Sequence, residues 1–132
     1  MLRRVPPDLR PRLDAFRRVV EHVERARESL TDAVPTTRLP GRPLAEALQT
    51  FDEELGAAAE LMPAWRADEV EDAWRACDAA LSGARGAAER VRLAGEAPAG
   101  FEALISTIGD LLEPLDAFGT AADRFRELRR RG

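Results

Sequence analysis

One stretch constrains this chain more than any other. Between Phe101 and Leu128 the large apolar residues fall at Phe101, Leu104, Ile105, Ile108, Leu111, Leu112, Leu115, Phe118 and Phe125, with Ala122 between the last two. Steps of three and four place them on one broad face of a helix. A helix with so wide an apolar face gains its stability from packing rather than from propensity. The remaining sequence must therefore supply faces to cover it.

Three other segments do so. Leu9, Leu13, Phe16, Val19, Val20, Val23, Ala26, Leu30 and Val34 share one face of a helix expected over residues 8–34. Asp8 suits its N-cap, Pro11 is tolerated in the first turn, and Pro35 ends it. Arg17–Glu21 and Glu21–Arg25 stand four residues apart on the opposite side and predict ion pairs worth ~0.3 kcal/mol each. Thr36 to Arg42 reads as a loop, marked by Pro40-Gly41. Pro43 suits the first position of a second helix, residues 43–62, whose inward line is Leu44, Leu48, Phe51, Leu55, Ala58 and Met62. Glu46, Glu53 and Glu60 repeat on its outer side. Pro63 then marks either a turn or a kinked continuation.

A third helix, residues 68–94, opens on Asp68 and Glu71, the spacing of a capping box. It turns Val70, Ala73, Trp74, Cys77, Leu81, Ala84, Ala88 and Val91 inward and stops at Gly95. Gly83 and Gly86 weaken its centre by about 1 kcal/mol each relative to Ala. The fourth helix spans residues 98–129. Pro114 lies inside it, cannot donate to the carbonyl of Asp110, and predicts a kink.

Four amphipathic helices with short connections predict an all-α, antiparallel up-down-up-down four-helix bundle with a proline-kinked last helix, one domain over residues 1–132. A helical hairpin that dimerises into a larger bundle is the alternative. Charge favours the bundle. Residues 1–20 hold six Arg and two acids, and residues 120–132 hold five Arg and two acids. Residues 44–72 hold nine acids and one Arg. In an up-down bundle the acidic turn between helices two and three, with Glu60, Asp68, Glu69, Glu71 and Asp72, meets the arginine-rich ends. Exposed pairs of this kind contribute only ~0–1 kcal/mol each.

Composition narrows the function classes. With a net charge of −4, nucleic acid is not the default partner for the whole molecule. Arg3, Arg4 and Arg129-Arg130-Arg131 are not interleaved with aromatic rings, as single-strand binders require. The start reaches Asp8 and Arg10 before any apolar run, unlike a secretion signal, and no window approaches the ~18 uncharged apolar residues of a membrane span. Cys77, alone, has no internal disulfide partner, which fits a reducing cytoplasm. The expected location is cytoplasmic, with neither nucleic acid nor membrane as partner.

The chemistry-bearing residues form no catalytic pattern. His22 is the sole histidine, and no Glu-x-x-His pair of the di-iron bundles occurs. Cys77 lies on the inward line of the third helix, without a cation three or four residues away to activate it. No serine stands in a Gly-x-Ser-x-Gly setting, and Ser82-Gly83-Ala84-Arg85-Gly86 lacks the ending of a phosphate loop. No cofactor and no metal site follow. The reading is a non-enzymatic helical bundle acting through protein–protein contact, with an unidentified protein or with itself as a homodimer. Trp65, at a turn, and Glu102, Asp110 and Glu113, in the arginine-free segment 98–119, are its candidate contact residues. The alternative is a bundle binding a small apolar ligand near the Pro114 kink. His22, Gly83 and Gly86 are expected at the same height and complete that candidate pocket.

Overall fold

A computed structural model describes the backbone of residues 10–36, 41–94 and 100–131, with side chains at 11–36, 41–68, 70–93 and 100–123. Four α-helices make up the fold: α1 (Arg10–Thr31), α2 (Leu44–Leu61), α3 (Glu71–Ala94) and α4 (Phe101–Arg131). The described residues contain no strand. Among them, no helix is long and apolar enough to cross a membrane. The expected N-cap Asp8, Leu9, Pro40, Gly95, Phe125, Leu128 and the arginines at both ends lie outside the described side chains, as does Glu69.

α1 closes before Pro35 forces it to. Its last turn tightens, with the amides of Ala33 and Val34 donating to the carbonyls of Leu30 and Thr31. The amide of Arg42 then donates to the carbonyl of Asp32 at 2.8 Å, folding the connection back onto the helix end. Gly41 is required there: a Cβ at this position would stand 2.2 Å from the carbonyl oxygen of Ala33. Pro43 sits at the N-cap of α2, one position earlier than expected, and its carbonyl accepts from the amide of Ala47.

Pro63 marks a turn. α2 ends at Leu61, a 3-10 turn takes Met62–Trp65, and Arg66 and Ala67 are extended. A second 3-10 turn, Asp68–Val70, leads into α3. The capping box does not form. Ala67 caps the 3-10 turn that precedes α3, and the Glu71 carboxylate instead accepts from the guanidinium of Arg66 at 2.7 and 3.1 Å and from Arg75 at 2.9 Å. A forked guanidinium satisfies both carboxylate oxygens, which one orphan amide cannot match.

Packing divides the helices into two pairs. α1 lies most extensively on α2, and α3 on α4, while the α2–α3 and α1–α4 contacts are narrower. Buried apolar side chains from all four helices form one continuous core. The expected inward lines are largely buried, including Phe16, Val19, Val23, Leu30, Leu48, Phe51, Leu55, Cys77, Leu81, Ile108, Leu111, Leu115 and Phe118. Burying a Leu or Phe side chain fully contributes about 1.5–3 kcal/mol.

The two tryptophans differ in burial. Trp65, a candidate contact residue at a turn, is fully buried and meets Phe16 edge-on at 5.1 Å between ring centroids. Its indole N–H points at the sulfur of Met62, 3.3 Å away. A residue with no exposed surface offers nothing to a partner, so Trp65 leaves the list of contact residues. Trp74, read as core, is only half-buried. Its N–H donates to the carbonyl of Met62 at 2.7 Å, and the Arg66 guanidinium lies 4.2 Å over its ring.

The anticipated helix-surface pairs Arg17–Glu21 and Glu21–Arg25 do not come within ion-pair distance. The described ion pairs between helices are His22–Glu54, Arg27–Asp116 and Arg92–Asp52. Exposed pairs on one helix cost side-chain entropy that ~0.3 kcal/mol barely offsets.

Candidate functional site

Two places on α4 carry the features a binding site needs. The first is a groove between α3 and α4. Pro114 is part of its wall, beside Leu111 and Ala117, and Ala87 and Val91 face them from α3. Its volume is about 670 Å³. Charges rim this apolar floor: Arg90 on α3, and Asp110 and Glu113 on α4. Arg90 forms no ion pair with any described residue, although two carboxylates line the same groove.

Gly83 lies against Pro114, since a Cβ on Gly83 would stand 3.7 Å from the proline Cβ. A Cβ on Gly86 would be 3.6 Å from the guanidinium of Arg90. Gly83 therefore neighbours Pro114 and Gly86 neighbours Arg90, but neither glycine is part of the groove's lining. His22 lies elsewhere. It is half-buried on α1, and its Nδ1 lies 2.5 Å from Oε2 of Glu54 on α2. Equal height along a bundle does not mean the same side of it, and His22 faces the α1–α2 seam.

The second place is the outer edge of α4 near its start. The broad apolar face is not covered along its whole length. Ile108, Leu111, Leu115 and Phe118 are buried, but Phe101 is 57% exposed and Ile105 is 39% exposed. Glu102, Asp110 and Glu113, the other candidate contact residues, are all exposed on the same segment. Asp116 is held by Arg27 of α1 at 3.2 Å. Gly100, with φ of +98°, sets the chain direction into this end of α4, and its carbonyl accepts from the amide of Leu104. Sequence periodicity identifies Phe101 and Ile105 as apolar but cannot reveal where a neighbouring helix runs out.

The reactive groups are quiet. Burial pushes the Cys77 thiol up to about 12, so it stays protonated at neutral pH. Hydrogen bonds from Arg66 and Arg75 lower the Glu71 carboxyl to about 2. Glu54 is the one described side chain hydrogen-bonded to His22, and no hydroxyl or thiol joins that pair. Among the described residues no three of His, Cys, Asp and Glu gather closely enough to hold a metal ion.

No protein-family model matches the chain, and no curated protein or solved structure matches it significantly.

Proposed function

We propose that this chain is a non-enzymatic helical bundle that works through protein–protein contact. The observation that carries the reading is the exposed pair Phe101 and Ile105 on a helix edge otherwise bordered by acids. Large apolar side chains grouped on one exposed helix face support a contact surface. The His22–Glu54 pair lacks a nucleophile, and the Cys77 thiol is both buried and protonated, so neither supplies a reaction centre.

The arrangement we propose for the helices is up-down-up-down, with neighbours antiparallel. It is supported by contacts in which one residue number falls as the other rises: Ser29 with Ala47, His22 with Glu54, and Phe16 with Trp65. Arg92 with Asp52 and Trp74 with Met62 follow the same rule between α3 and α2. A kink at Pro114 belongs to this reading, because proline leaves the Asp110 carbonyl without its helical donor. A cytoplasmic setting is supported by the unpaired Cys77.

Light scattering on the purified chain, together with cross-linking in its source cells, tests the contact reading. The expected outcome is a complex that the double variant Phe101→Gln/Ile105→Gln fails to form while melting as the parent does. A strict monomer that co-purifies with no protein would overturn it.

The groove at Pro114 favours a second reading, a small ligand with an apolar body. Its volume falls in the range of roughly 300–1,000 Å³ that ligand pockets occupy. A thermal-shift screen with hydrophobic ligands is expected to raise the melting temperature of the parent and not of Ala87→Gln. No shift with any of them removes this reading.

A further inference from the structure

We infer that the outer edge of α4 around Phe101, Ile105 and Gly109 seats a basic amphipathic helix of a partner protein. This rests on the protein-contact reading and names the partner's chemistry. The three residues are four apart, so they follow one another along a single row of the helix surface. Half-buried Leu112 borders the row on the core side, and exposed Glu102 and Glu113 border it on the other.

Gly109 adds an observation of its own. It lies inside a long helix, where glycine weakens the structure, yet a Cβ placed on it would meet no atom within 4 Å. Nothing in the chain itself requires a glycine there. A bare backbone at this point of the row permits another helix to approach closely.

The described helix α1 does not extend alongside this row. Arg27 meets Asp116, and α1 ends at Thr31, one turn later. In the antiparallel arrangement Ile105 lies eleven residues further along α4, so α1 stops roughly 10 Å short of it at ~1.5 Å per residue.

Charge selects the occupant. Residues 98–119 contain Glu102, Asp110, Glu113 and Asp116 and no Arg. A second copy docking through the same face would set the Glu102 and Glu113 carboxylates of the two copies against one another, which is repulsive. A helix with apolar residues at steps of three and four and cations beside them satisfies both the row and its acidic border.

The test uses the full chain and a fluorescent 18-residue amphipathic peptide of Leu and Lys at helical spacing, read by anisotropy. Saturable binding is expected. Phe101→Gln/Ile105→Gln should weaken it by at least roughly tenfold, as loss of central apolar anchors does. Gly109→Gln should weaken it similarly while melting at or above the parent temperature, which separates blocked docking from damaged folding. Glu53→Gln/Glu60→Gln, on the outside of α2, should leave the affinity within about twofold of the parent; an equal loss there reduces the attraction to net charge and overturns the inference. A peptide with Glu in place of Lys should not bind. Equal affinity in parent and row variants also overturns it. If light scattering instead shows a dimer that Ile105→Gln dissolves, the contact reading stands and the basic partner falls.

Discussion

The two helix pairs are built from different materials. Between α1 and α2 the core is made of large, shape-specific side chains: Phe16, Leu30, Phe51, Leu55 and Met62, with Trp65 edge-on to Phe16. Polar ties cross the same seam. Ser29, the one buried polar residue described, donates to the carbonyls of Ala26 and Ala47, and His22 reaches Glu54. α3 buries mostly small residues, Ala73, Cys77, Ala80, Ala84, Ala87 and Ala88 beside Leu81, while α4 supplies the large ones, Ile108, Leu111, Leu115 and Phe118. No hydrogen bond or ion pair joins the described side chains of α3 to those of α4. Interlocking rings and buried polar ties specify one register, whereas an alanine-rich seam lets helices approach closely but fixes their alignment less firmly. The groove and the uncovered row both lie on the second pair. The buried polar ties lie in one half of the molecule, and the groove and the exposed apolar row in the other.

The sharpest way to break that contrast is to compare the tryptophans. Trp65→Ala should destabilise by about 3–5 kcal/mol, the range for emptying a large aromatic site in a core. Trp74→Ala should cost about 1–2 kcal/mol, chiefly the hydrogen bond to Met62 and the stacked Arg66. Urea unfolding followed by circular dichroism measures both. Equal costs would mean that the first pair holds no privileged core.

Overpacking tests the other half. Ala84 is fully buried in α3, and Ala84→Leu should cost about 1–3 kcal/mol if the alanine seam is close-packed. A neutral result would show α3 and α4 sliding to make room. A third change works in the opposite sense. Gly109→Ala adds a methyl group to open space and should stabilise by about 0.5–1 kcal/mol, read as a higher urea midpoint.

The limits of legibility follow the same division. The four apolar faces were readable because a helix repeats every 3.6 residues, and the burial of Ile108, Leu111, Leu115 and Phe118 agrees with that reading. The tryptophans were not, because residues 62–70 form two 3-10 turns around an extended step and the helical phase is lost across them. Phase alone placed Trp74 beside Ala73, but an indole at the boundary of a face reaches beyond the core. Chain lengths report height, and the proximity of Gly83 to Pro114 agrees with them. His22 was misplaced by the same rule, since height says nothing of which side of the bundle a residue faces. Periodicity assigns Phe101 and Ile105 to the buried face, because exposure depends on neighbouring segments that periodicity does not register.

The smallest expected effect concerns the junction between the two pairs. Glu71 lies at the start of α3, bound by Arg66 from the connection and by Arg75 from its own helix. Those hydrogen bonds hold its carboxyl at about 2, below the ordinary 4.5. A carboxylate whose folded value is lowered stabilises the fold above its unfolded value and loses that contribution as pH falls through the folded one. The parent should therefore lose a small increment of stability between pH 4.5 and about 2 that Glu71→Gln does not lose. The difference in melting temperature between the two should be largest at neutral pH, close over that window, and shrink with added salt because the cluster is exposed. A gap that persists at pH 2 would mean that Glu71 acts through packing rather than charge. Trp74 would then keep its place beside Arg66 without the carboxylate, and the junction would be held by the indole alone.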